Sequence, residues 1–392
     1  MTLHKILLFC DLPEGGIAEH AHYQAQALQA EGVQVYLLTC AGFLPGQVSK
    51  SYRVRHWLLR PYADWRNALA KRAWFTLATI TNQLILAAVI LAGRFRNVLL
   101  GASSETLALV WVWPHLLLRW LGVRYAVNIH DPQRKLRDGA ALLHRWSVKA
   151  GFWPIRFGLI HEDFDAEQPQ IPPHIVCLRV PYGCYEAERA PGDGDGLRAE
   201  LAPRGSGRHI LLAFGYIADR KNIESCVRAV ARVPEAVLLV AGRVASRHDK
   251  PAQFYRDLAA ELGCAERVRI DDGFVPDDAL RAYFGAADAI LLTYKAEFVS
   301  QSGVLLLASN WAKPVLASSG PGPLAETVAR FDLGPVIAAD DIAAMQQAMR
   351  LLISRGYPNE GWESFRQHAS WQRNVTQLCA ALEIASGVEK VS

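Results

Sequence analysis

The sequence predicts an α/β chain built from two doubly wound parallel-sheet domains, and three observations carry that prediction. Its 392 residues, 51% of them hydrophobic, exceed what one ordinary core holds. Short apolar runs alternate with helical stretches through both halves, which is the pattern of parallel pairing. Near residue 190 the texture changes. Residues 189–208 carry Pro191, Gly192, Gly194, Gly196, Pro203, Gly205 and Gly207, a linker composition between two such alternations.

The elements follow in order. Residues 6–10 are a short apolar run closed by Asp11 and Pro13, so they read as a buried strand and not as a signal peptide. A helix is expected over 20–31 and a second strand over 33–39, after Gly32. Further strands are expected at 97–100, 125–129, 157–160 and 175–178. The alternation restarts with a strand at 209–214, a helix at 224–233, a strand at 236–240 and a helix at 252–262. It continues with a strand at 268–270, a helix at 278–284 and a strand at 289–292. An apolar segment of helical length then leaves the small-residue turn 300–303, and a short strand follows Lys313 and Pro314. Residues 363–384 read as one terminal helix crossing back to the first domain. The expected division is 1–188, 189–365 and the returning segment 366–392, with a cleft between the domains. Ligands in such sheets bind beyond the C-terminal ends of the strands.

Composition narrows the function classes. A net charge of +4 is small for this length and does not imply nucleic-acid binding. The seven cysteines are scattered with no Cys-x-x-Cys pair, which fits a reducing compartment and argues against a disulfide frame or zinc site. Charge is concentrated locally. Lys50, Arg53, Arg55, Arg60, Arg66, Lys71, Arg72, Arg94 and Arg96 face the single acid Asp64. Trp57, Trp65, Trp74, Trp111, Trp113 and Trp120 lie in or near the same stretch. Cations interleaved with tryptophan and leucine suit a membrane interface. Residues 74–93 are uncharged and nominally long enough to span a bilayer, although Thr76, Thr79, Thr81, Asn82 and Gln83 are costly in hydrocarbon. Buried, interfacial and spanning placements all stay open for this segment.

Candidate chemistry lies after the strands. Ser302, Gly303 and Val304 begin a helix, where unpaired N–H groups and the helix dipole favour a diphosphate. Lys221 follows Gly215 in the turn after the strand 209–214 and can neutralise a leaving nucleoside diphosphate. Arg220 is the alternative for that role. Gly15 and Gly16 precede the first helix, and Glu19 is an alternative carboxylate there. His130 and Asp131 end the strand 125–129, placed for a hydrogen bond to a sugar hydroxyl or for general-base help. His20 and His22 are expected on the helix surface or at the cleft, with no metal assigned.

These features together resemble the GT-B glycosyltransferases, most closely family 4. The residues Phe214-Gly215-Tyr216-Ile217-Ala218-Asp219-Arg220-Lys221-Asn222 resemble the opening of that family's C-terminal domain. Residues 268–276, 280–287 and 288–290 are similar to its next strand, Gly-x-Val-Pro turn, helix and Ala-Asp strand. Gly15-Gly16 resembles its first glycine loop, His130-Asp131 its His-Asp pair, and Glu326 its Glu after a Gly-rich loop. The likeness covers nearly the whole chain by order and spacing. It departs at the family's Glu-x7-Glu pair, where the register holds Val299 and Leu307, with Glu297 two residues away. Tyr216 stands where an Arg often follows the glycine. The resemblance implies a GT-B enzyme of an exopolysaccharide-type subgroup, taking a nucleoside diphosphate-sugar donor at Gly215, Tyr216, Arg220, Lys221, Glu297, Ser302, Gly303, Val304 and Glu326. His130, Asp131 and Lys221 would be catalytic, and Gly15, Gly16 and Glu19 would line the acceptor side. The expected partner is a lipid-linked or glycan acceptor on the inner face of the cell membrane. No cofactor and no metal are expected, because no Asp-x-Asp element lies in a plausible donor loop. A non-catalytic GT-B partner subunit and a nucleotide-sugar epimerase are the alternatives.

Overall fold

The computed structural model describes residues 5–44, 51–62, 65, 67–102, 104, 106–130, 141–161, 171–185, 190, 192–355, 357–358 and 360–383. Asp131 lies outside these residues, as do Lys50, Asp64 and Arg66. The chain divides into two compact units, one of residues 1–183 with 369–392 and one of residues 184–368.

In chain order the first unit contains β1 (Lys5–Cys10), α1 (Gly16–Ala30), β2 (Gln34–Cys40), β3 (Arg53–Leu58) and α2 (Ala68–Gly93). It continues with β4 (Asn97–Leu100), α3 (Ala108–Trp120), β5 (Arg124–Ile129), α4 (Ala141–Phe152), β6 (Ile155–Ile160) and β7 (Val176–Arg179). The second unit contains α5 (Asp195–Leu201), β8 (His209–Phe214), α6 (Ile223–Val230), β9 (Ala236–Ala241), α7 (Ala252–Glu261), β10 (Val268–Asp271) and α8 (Asp277–Ala286). Next come β11 (Ala289–Thr293), α9 (Gly303–Ala308), β12 (Val315–Ser319), α10 (Pro323–Arg330), β13 (Val336–Ala338), α11 (Ile342–Arg355) and α12 (Gly361–His368). The last helix, α13 (Trp371–Ala381), belongs to the first unit.

The first sheet runs β3-β2-β1-β4-β5-β6-β7 and the second β10-β9-β8-β11-β12-β13, with parallel pairing throughout. Strand order reverses between β1 and β4 in one sheet and between β8 and β11 in the other. Ligands of such sheets bind at these switch points. Alternation along β1 feeds two cores. Ile6 and Leu8 pack with Ala21, Ala25 and Leu28 of α1 and with Val375 and Leu378 of α13. Leu7 and Phe9 pack with Leu86 and Ile90 of α2, Leu118 of α3 and Phe152 of α4. Burial on both faces is why these strands read as continuous apolar runs.

Four expectations are corrected. The first helix begins at Gly16, because Gly15, at φ +89°, turns the chain directly into it. Arg53–Leu58, read only as part of a basic segment, is an edge strand paired with β2. Charge on an edge blunts further pairing, and there it masked the strand signal. The segment after Ser302 is a helix of only six residues, Gly303–Ala308. The single terminal helix is two. The Ser370 hydroxyl accepts from the Arg373 amide and caps α13, so α12 stays with the second unit while α13 joins the first.

Candidate active site

In the second unit the predicted donor residues gather beyond β8 and β11. Gly215 follows β8 at φ +89°, and a Cβ there would lie 2.9 Å from Lys221 Nζ and 3.8 Å from Val304 Cγ2. A side chain at 215 would therefore push the Lys221 ammonium aside and come into ordinary contact with Val304. The Lys221 ammonium donates to the Phe214 carbonyl. Burial, and secondarily the adjacent Arg220, lowers its pKa to about 7. A cation so poised gains charge when an anion approaches. Arg220 is exposed, with its guanidinium 5.9 Å from the Phe298 ring centroid.

Ser302 is buried, and its hydroxyl is 2.9 Å from the Tyr294 hydroxyl. Its amide donates to Gln301 Oε1 at 2.9 Å. Ser302 thus frames the turn, and Gly303 and Val304 provide the leading amides of α9, ahead of any i−4 carbonyl within it. Among the described residues, a Cβ on Gly303 would meet only Tyr185 Cε2, at 3.9 Å. Tyr216 is exposed, with the Arg243 guanidinium 5.5 Å from its ring centroid. Glu297 is exposed in the turn after β11, and Glu326 is exposed in the first turn of α10. Tyr294, Gln301 and Arg243 escaped the sequence reading. Each acts through a neighbour across a turn and leaves no spacing to read.

In the first unit Gly15 and Gly16 follow β1 with open space around both, and Glu19 lies in the first turn of α1. His130 follows β5, and its Nε2 donates to the Gly101 carbonyl at 2.9 Å. Burial pushes its pKa down to about 4, so the ring is neutral at pH 7 and a weak general base. His20 and His22, expected on the helix surface or at the cleft, are both buried in α1. His22 Nδ1 lies 2.6 Å from the Tyr52 hydroxyl. His20 packs edge-on to His130 and beside His161. His161, after β6, was not singled out in the sequence, and the three histidines share no local motif.

Residues 201–369 match the family model described as Glycosyl transferases group 1. No curated protein matches the chain. Among solved structures, a glycosyltransferase from Rickettsia africae superposes with a TM-score of 0.72 at 15% identity, covering 99% of this chain and 100% of that one. The Anabaena HepE protein in complex with UDP and glucose gives 0.70 at 14%, covering 97% and 100%. A sucrose-phosphate synthase from Thermosynechococcus elongatus gives 0.68 at 16%, covering 97% and 98%. At these identities the likenesses establish the fold of the whole chain, and the family match lies on the unit that holds Gly215, Lys221 and Gly303. The chain is a GT-B glycosyltransferase carrying a glycosyl transferases group 1 domain.

Proposed function

We propose that this enzyme moves a sugar from a nucleoside diphosphate-sugar to a lipid-linked or polysaccharide acceptor, in cell-surface or exopolysaccharide glycan assembly at the cytoplasmic membrane face. The observation that carries the reading is the convergence of Gly215, Lys221 and Val304 at the β8–β11 switch point, inside the group 1 match. Lys221 would neutralise the leaving diphosphate, and the amides of Gly303 and Val304 would cradle it. The HepE structures hold UDP and UDP-glucose, which makes a uridine diphosphate-sugar the first donor to try. The second unit takes the donor and the first takes the acceptor.

The membrane part of the reading is supported by the first unit. Leu77, Leu84 and Leu91 of α2, Val110, Trp113, Leu117 and Trp120 of α3, and Trp146 of α4 are all exposed. An apolar face of this extent marks an interaction surface. Lys71 and Arg72, both exposed, lie at one end of α2, and exposed Arg94 caps the other.

The test is a thermal-shift panel of nucleoside diphosphates on the wild type and on Gly303→Val. One nucleotide should raise the melting temperature of the wild type, since a ligand of the native state stabilises by mass action. Gly303→Val should keep the unliganded melting temperature, because only Tyr185 is near, and lose the shift. Absence of any shift in the wild type would favour a non-catalytic partner subunit. A free sugar–nucleotide product formed without acceptor would favour an epimerase.

A further inference from the structure

The first unit contains a buried cluster of which the glycosyl-transfer reading uses only His130. His20 from α1, His130 from the end of β5 and His161 from the end of β6 bring one ring nitrogen each to within 4.8 Å of one another. Their ring centroids lie 4.8, 4.8 and 5.3 Å apart. Five ring nitrogens, both of His20, both of His161 and Nδ1 of His130, are buried without a hydrogen-bond partner among the described residues. Buried polar atoms in folded proteins are satisfied as a rule, and such a concentration of exceptions calls for a missing partner. Neutral His20 and His161 each offer one lone pair and one N–H, so a single acceptor of lone pairs at the centre of the cluster would satisfy one nitrogen of each ring and leave their N–H groups directed outward. The His130 Nε2 proton is committed to the Gly101 carbonyl, so Nδ1 presents a lone pair to the cluster. A backbone carbonyl on the far nitrogen is also the outer-sphere arrangement that orients a metal-bound imidazole.

We propose that His20, His130 and His161 bind one divalent transition-metal ion of the zinc class. Three neutral imidazoles suit Zn2+, and Co2+, Ni2+ and Cu2+ fit the same donor set. Zinc–nitrogen bonds of about 2.0–2.1 Å in a tetrahedral arrangement place the nitrogens about 3.4 Å apart. Small ring rotations would close the present spacing. Burial holds all three rings below the ordinary histidine value, with His20 and His161 depressed furthest, so the ligands need lose no proton near neutrality. The Val180 backbone opposes this at His161 only in small part, and neither His161 nitrogen reaches hydrogen-bond geometry. The rings of Tyr182, 4.5 Å from His161, and Trp371, 4.8 Å from His20, flank the cluster. The bound ion would tie α1 to the C-terminal ends of β5 and β6 and leave a fourth position for water or another donor. This departs from the sequence expectation, which assigned no metal to His20 and read the scattered cysteines as arguing against a zinc site, because the three histidines are too far apart in the chain to form a motif.

The test uses the full chain, stripped with chelator and titrated with Co2+ and then Zn2+. One equivalent of Co2+ should produce visible d–d absorption of tetrahedral type, Zn2+ should displace it, and Zn2+ should raise the melting temperature. His20→Phe and His161→Phe, which keep a ring in the cavity, should each weaken binding at least about tenfold. The exposed His248→Ala should bind as the wild type does. If a phenylalanine variant fails to fold, the wild-type titration decides by itself. A wild type without the absorption, or without stoichiometric Zn2+ binding and a thermal shift, overturns the proposal. Binding that survives in folded His20→Phe and His161→Phe overturns it too, because the ion would then sit elsewhere.

Discussion

Lys221 shows how one residue couples fold to chemistry. An ordinary lysine titrates near 10.5, whereas burial brings this one to about 7. Between those values the folded chain binds fewer protons than the unfolded chain, so this group's contribution to stability rises with pH across the window. Below about 7 the cost of burying the cation is fully present. Lys221→Met should flatten that part of the stability–pH profile, as read by denaturant melts. A bound diphosphate favours the ammonium, so nucleotide affinity should weaken as pH rises above about 7, by up to tenfold per pH unit. Calorimetric titrations across this range should show the trend in the wild type and not in the variant. Turnover of Lys221→Met should fall by about two orders of magnitude or more, the scale of losing one electrostatic stabiliser. Near-normal turnover in the variant would move the role to Arg220, and an unchanged pH trend would show that Lys221 is not the group that titrates. The position of Lys221 was legible from its register after Gly215. Its lowered pKa was not, because that depends on the burial that surrounds it.

At the scale of elements, α2 inverts the usual pattern. Its polar residues Thr79, Asn82 and Gln83 are buried, while Leu77, Leu84 and Leu91 are exposed. Asn82 donates to the Leu59 carbonyl and accepts from the Leu59 amide, both at 2.8 Å, which satisfies it inside the unit. Three of the five residues that made a membrane span costly are therefore absorbed by the unit, with Thr76 and Thr81 half-buried, and the outward leucines join the exposed face of α3. On the proposed membrane reading α2 would lie in the membrane plane, with Lys71, Arg72 and Arg55 the cations to test, since Arg53 already donates to the Tyr36 hydroxyl and Arg60 to the Ala41 carbonyl. The protein should float with anionic liposomes at low salt and be partly released at high salt. Each cation at the headgroups contributes about 1 kcal/mol. Trp113→Glu with Trp120→Glu should abolish flotation without lowering the melting temperature, since both side chains are exposed. Retention through carbonate washing would instead favour a spanning α2. Hydropathy along the sequence exposed this helix but could not orient it, because its polar residues look alike whether they face protein or water.

For the whole molecule, the decisive contact is the return of α13 to the first unit. Gln24 Nε2 donates to Asn374 Oδ1 at 2.8 Å, Asn128 Nδ2 donates to Gln24 Oε1 at 2.8 Å, and Asn374 Nδ2 donates to the Pro181 carbonyl at 2.8 Å. Asn374 and Gln24 are fully buried, so Asn374→Ala strands polar atoms in the core. It should destabilise the first unit by on the order of 1–3 kcal/mol. Hydrogen exchange should show faster opening of β1, β5 and α1 and leave the strands of the second unit unchanged. Equal loss of protection in both units would contradict this placement.

The amino-acid order by itself determined the two parallel sheets, since buried strands must be apolar on both faces and their crossover helices must alternate with them. It also located the Gly215 turn with Lys221 beyond it and the Ser302–Gly303 helix start, because a positive φ and a helix N-terminus leave local marks. Only the tertiary structure decided which histidines meet. Residues 20, 130 and 161 come from a helix and two strand ends separated by long crossovers. Only the tertiary structure also turned the polar side of α2 inward. Local propensity is written over a few residues, whereas partners across a sheet are set by strand order, which no single segment encodes.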